Sequence, residues 1–125
     1  MSAWRRVAIE QLPECKPLAE RAFSPMALWI ELHTEFEGAY ADGNREQMER
    51  LLTFAKWCWR SNSPDVVNAV ACAFFEHLPQ HHGIRAMLPR LLTAQEFAEL
   101  QEVFAYHLGE EQARQLALEF ERARP

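Results

Sequence analysis

β-Branched residues are scarce in this chain. Valine, isoleucine and threonine together number eleven of 125 residues, so a sheet has little to be built from. Glycine is scarcer still, with four. No glycine-rich phosphate loop, Gly-x-Ser-x-Gly elbow, Ser/His/Asp pattern or His-Glu-x-x-His helix occurs, which removes the commonest enzyme signatures. The three cysteines, Cys15, Cys58 and Cys72, contain no Cys-x-x-Cys pair. An odd number without short spacing is a poor disulfide framework and a poor zinc knuckle. It points to a reducing compartment, and no neighbouring group is placed to activate a thiol nucleophile. The longest unbroken apolar run, Ala69 to Phe75, is too short to span a bilayer. No basic start leads into an apolar stretch, so no secretory leader is expected. A basic excess is also lacking: the net charge is -5, which argues against nucleic-acid binding. These absences predict a cytoplasmic protein without a membrane or nucleic-acid partner and without a cofactor.

What is present favours helix. Alanine, leucine and glutamate number 48, and all three are strong helix formers or well tolerated in helices. Hydrophobic residues make up 49%, enough to exclude a largely disordered chain. A chain of this length buries roughly two-thirds of its unfolded surface and needs no staple. With no linker and no composition shift, it reads as one domain, residues 1–125, in which an N-terminal segment over 1–23 packs on a bundle over 24–123.

Local signals divide the chain into about six or seven helices. The first runs from Ser2 to about Gln11 and is broken by Pro13 and Pro17, with a short turn following over 18–23. Ser24-Pro25 and Ser63-Pro64 each combine a serine N-cap with proline at the first helical position. The first of these opens a helix ending near Gly43, and Asn44 caps the next, to about Arg60. The helix from Pro64 is expected to run on to Pro79. Residues 80–83 read as a loop, and Ile84 to Leu92 as a short helix that Pro89 distorts. Thr93-Ala-Gln-Glu96 is a capping box; its helix reaches Leu108, Gly109 breaks it, and a last helix runs from Glu110 to about Arg122. Short connections predict antiparallel hairpins.

Apolar stripes show what faces inward. Leu28, Leu32, Phe36, Ala39 and Tyr40 share one face, and Met48, Leu51, Leu52, Ala55, Cys58 and Trp59 another. Phe97, Leu100, Val103, Phe104 and Leu108 form a third, and the last helix has only Leu116 and Phe120. The segment from Val66 to Phe75 is apolar nearly all round, which marks a buried central helix. Asn68 is its exception, and a buried amide there would need partners. The predicted fold is all-α, with hairpins around the Pro64–Leu78 helix.

Two groups of residues carry candidate chemistry. Glu76, His77, His81 and His82 lie within seven residues, and His77 and His81 have the i, i+4 spacing of a helical metal pair. Pro79 between them ends the helix, so a polar helix end is the plainer reading. Glu31, Glu35 and Asp42 project along one edge of their helix, as a solvated face or a paired-carboxylate site does. His107 sits at the edge of a stripe and reads as a core histidine with a partner.

Charge is unevenly placed. The stretches 24–43 and 94–113 hold nine of the 18 acids and none of the 13 bases. Such helices serve solubility, or form an electrostatic face for a basic partner. Tyr106 points with Glu99 and Glu102 away from the core stripe, and Trp57 points toward Glu46, Arg50, Thr53 and Ser61. An aromatic amid charges is an interface anchor, unless the N-terminal segment covers Trp57.

Leu-Trp-Ile-Glu-Leu at 28–32, Ala-Lys-Trp-Cys at 55–58 and Ala-Val-Ala-Cys-Ala-Phe-Phe-Glu-His-Leu-Pro at 69–79 resemble a family of small all-helical bacterial proteins of uncharacterised function. The resemblance spans Leu28 to Leu108, implies an all-α fold and supplies no catalytic residue. By size, charge and class the chain also resembles immunity proteins of bacterial toxin systems. The expectation is a non-catalytic protein-binding module with a basic protein partner, met through Glu99, Glu102, Tyr106, Trp57, Glu31, Glu35 and Asp42. The alternatives are a small metal-dependent hydrolase using Glu76, His77, His81 and His82, and a structural homodimer.

Overall fold

The computed structural model describes residues 1–123. Seven α-helices follow one another: α1 (Ala3–Gln11), α2 (Lys16–Arg21), α3 (Pro25–Ala41), α4 (Arg45–Trp59), α5 (Pro64–Ala73), α6 (His82–Leu91) and α7 (Ala94–Ala123). Short 3₁₀ turns lie at Pro13–Cys15 and Phe75–Gln80, and no strand occurs among the described residues. The protein is all-α. Its chain divides into two compact units, Met1–Phe74 and Phe75–Pro125.

In the first unit the caps act where the sequence places them. Ser24 Oγ accepts the Ala27 amide at 3.1 Å, and Asn44 Oδ1 accepts the Gln47 amide at 3.1 Å. Gly43, with φ of 69°, takes the left-handed position that ends α3, which costs glycine nothing sterically. α5 starts at Pro64 as expected, but the Ser63 hydroxyl makes no cap; the Ser63 amide donates to Ser61 Oγ instead. Helix α3 packs on both α4 and α5, α1 on α4, and α2 on α3. The Arg5 guanidinium donates to the carbonyls of Ala19 and Ala22. It thereby satisfies orphan groups at the end of α2 and fastens α1 to it.

The core of this unit is aromatic. Trp29 stacks on Phe54 at 5.3 Å and meets Phe74 at 4.8 Å, while Phe36 stands edge-on to Phe74 at 5.1 Å. All four rings are fully buried. Trp29 and Phe54 lie off the stripes read from the sequence; α3 has neighbours on more than one side, so more than one stripe is covered.

The helix expected over Pro64–Pro79 is cut short. α5 ends at Ala73, Phe74 leaves helical geometry with φ of -129° and ψ of -70°, and a 3₁₀ segment follows. Pro79 keeps the segment beyond Phe74 from resuming as regular α-helix. It lacks the amide that would bond the Phe75 carbonyl, its ring clashes with that carbonyl, and it disfavours helical Leu78. Asn68, the polar exception on this helix, is exposed rather than buried and accepts a bond from the Cys72 thiol at 3.4 Å.

In the second unit α6 begins at His82, two residues earlier than expected, because His81 Nδ1 accepts the Ile84 amide at 3.2 Å and serves as its N-cap. The helix continues through Pro89 to Leu91. Thr93 and Glu96 form the reciprocal capping box, with bonds of 2.8 and 3.1 Å. Gly109, with φ of 81° and ψ of 167°, folds α7 into two arms. Phe97 on one arm stacks against Phe120 on the other at 4.1 Å.

Candidate functional site

The first arm of α7 separates its residues cleanly. Phe97, Leu100 and Phe104 are buried, while Glu99, Glu102 and Tyr106 are exposed on the opposite side. Tyr106 is 77% exposed, an unusual state for a large ring. The arm carries no lysine or arginine, so an exposed phenol stands in an acidic field.

Tyr106 does not stand alone. Its ring meets the edge of His107 at 5.0 Å, and His107 stacks on His77 at 5.1 Å. His107 Nε2 donates to Glu76 Oε1 at 2.8 Å. Glu76 is only 7% exposed and is the one buried charged side chain among the described residues. The break at Phe74 makes this arrangement, because the 3₁₀ segment at Phe75–Gln80 lies against α7. Residue 76 on a continuing α-helix would follow a different path. A carboxylate on one ring nitrogen sets the tautomer and orientation of an imidazole. Here that imidazole also meets two further rings, those of His77 and Tyr106.

The four residues considered as metal ligands take separate tasks. Glu76 holds His107, His77 Nδ1 lies 3.2 Å from Gln80 Oε1, and His81 caps α6. His82 is exposed in the first turn of α6. Among the described residues no three His, Cys, Asp or Glu side chains are gathered to hold a metal ion. His107, read as a core residue, is instead partly exposed and reaches inward only through its bond to Glu76.

A family model described as Domain of unknown function (DUF7674) matches residues 6–102. The chain belongs to this family. The matched residues include all three segments at 28–32, 55–58 and 69–79 that carry the resemblance. No curated protein and no solved structure matches the chain. Of the candidate site, Glu76, His77, Glu99 and Glu102 fall within the DUF7674 match, whereas Tyr106, His107 and the second arm of α7 lie beyond it.

The remaining candidates belong to the first unit. Glu31 is ion-paired with Arg21 at 2.7 Å and ties α2 to α3. Glu35 is half-buried near Cys15 and adds, after burial and Glu14, to what raises that thiol's pKa. Asp42 is exposed at the C-terminal end of α3. Trp57 is half-buried, parallel to Phe54 at 6.1 Å, and lines a cleft with Trp4 of α1 and the 60–63 loop. The N-terminal helix therefore flanks the cleft beside Trp57. Only Glu99, Glu102 and Tyr106 form a group exposed along one helical arm. Sequence reasoning missed Glu76 and His107 as partners: nothing in either local context marks the other.

Proposed function

We propose that this chain is a non-catalytic binding protein whose acidic α7 face receives a basic surface of another protein. The observation that carries the reading is Tyr106: it is 77% exposed, amid Glu99 and Glu102, with its ring against that of His107. Rigid aromatics concentrate binding energy because little conformational entropy is lost when they are covered. The flanking carboxylates steer a basic partner and set which partner is accepted. Neutralisation of a basic toxin by an immunity-type protein is the form of this reading in which binding is the whole function. Cys15, Cys58 and Cys72, none of them in a disulfide, suit a reducing compartment, so we place the action in the cytoplasm.

The test is affinity capture from the native host with three baits: the wild type, Tyr106→Ala and Glu99→Lys/Glu102→Lys. A basic protein retained by the wild type and lost from both variants supports the reading. Retention of the same proteins by all three baits rejects this face.

A further inference from the structure

The fold of α7 at Gly109 leaves a groove between its arms of about 480 Å³. This lies within the roughly 300–1,000 Å³ of pockets that seat ligands or inserted side chains. Its floor includes Phe97 and Phe104, and its walls are lined by Ala105, Ala113 and Ala117. Alanine at these positions keeps the arms from filling the space between them. Glu102 and Glu110 also line the groove, and both are exposed. Arg114, the base that lines it as well, is engaged by Glu111 at 2.6 Å.

We propose that this groove docks a basic amphipathic helix of another protein. The proposal rests on the acidic-face reading above and names the seat and the kind of segment that fills it. Two antiparallel helical arms present a furrow that a third helix fills by ridge-into-groove packing. The floor is apolar, so the incoming helix needs an apolar stripe. The rim carries Glu102 and Glu110 against one base, Arg114, which Glu111 pairs at 2.6 Å, so the flanks of that stripe are basic. Glu102 belongs to the rim and to the Tyr106 face alike, which lets one partner engage both. A second copy of this chain brings a net charge of -5 toward an acidic rim and is the poorer occupant.

The probe is a fluorescein-labelled peptide of leucine and lysine in amphipathic helical pattern, measured by anisotropy against the full chain. Controls are a scrambled peptide of the same composition and a leucine–glutamate counterpart. The expected result is saturable binding of the first peptide, weakened about tenfold or more by Ala113→Leu, which fills the groove. A similar loss is expected for Glu102→Gln/Glu110→Gln, which alters only exposed side chains and keeps the test valid if the first variant melts early. Binding lost in Glu99→Lys/Glu102→Lys yet unchanged by Ala113→Leu keeps the acidic-face reading and overturns the groove. Equal binding of the scrambled peptide overturns the groove as well, since charge alone then explains it. No binding of either basic peptide overturns both readings. Self-association abolished by Ala113→Leu would make the occupant a second copy and overturn the proposed partner.

Discussion

Single residues account for the most specific features. Glu76 keeps a carboxylate in a buried place because His107 donates to it at 2.8 Å. His107→Ala removes that donor and leaves an unsatisfied buried acceptor, so a loss of about 1–3 kcal/mol of stability is expected. In Glu76→Leu/His107→Leu both polar groups go together, and the combined loss should be smaller than the sum of the single losses. A double-mutant cycle in denaturant measures this coupling; simple additivity would show that the Glu76–His107 bond does not hold the two residues together. The thiols give a second test. Burial pushes Cys58 up to about 12, with the Trp29 side chain pulling it partly back. Burial, with Glu14 and Glu35 adding to it and Arg50 opposing, pushes Cys15 up to about 11. The folded state therefore favours the neutral thiols. Their stabilisation is complete below about pH 9, the ordinary thiol value, and is lost as pH rises through 11 to 12. Denaturant midpoints should fall with alkaline pH, and less steeply in Cys58→Ala. At neutral pH a thiol reagent should modify half-buried Cys72 first, and Cys15 and Cys58 only on unfolding.

At the scale of elements, local chemistry explains where helices start and stop. Ser24, Asn44 and the Thr93–Glu96 box act within three residues of themselves, which is why they were legible in the sequence. His81 was not, because histidine is an uncommon cap and Gln80 to Gly83 reads as a loop. The end of α5 was misplaced because the apolar run to Phe75 conceals the break at Phe74, which lies one residue before the Phe75 carbonyl that Pro79 acts on. Phe74 shows its consequence: outside the helix, its ring enters the cluster of Trp29 and Phe36. Phe74→Ala is expected to cost about 3–5 kcal/mol, read from thermal or denaturant melts; a near wild-type melt would show that this ring is not part of the core. Gly109 adopts φ of 81° with ψ of 167°, a region essentially confined to glycine, and Gly109→Ala should cost about 1–3 kcal/mol. The same substitution should straighten α7 and weaken any ligand of its groove.

For the whole molecule, charge and shape act at different stages of an encounter. Screening at physiological salt operates over about 8 Å, so the acids govern approach. Glu99→Lys/Glu102→Lys should slow association with a basic partner and flatten its salt dependence. Tyr106→Ala should instead speed dissociation, costing about 2 kcal/mol or more where the ring is a central anchor. Stopped-flow or surface-binding kinetics at two salt concentrations separate the effects. None of these exposed residues should shift the melting temperature much; a large loss in Tyr106→Ala would place that ring in the core.

The all-α class, the helix starts and most of the buried stripes follow from the sequence itself. They depend on interactions between residues one to four positions apart, and those are written in order along the chain. The Trp29–Phe54 stack, the Glu76–His107 bond, the pairing of Glu31 with Arg21 and the groove between the arms of α7 were decided only by tertiary structure. The three side-chain pairs join residues ten or more positions apart, and no local preference of either member encodes the meeting. It arises when one helix breaks at Phe74, a glycine folds another, and burial then selects which polar groups must find each other.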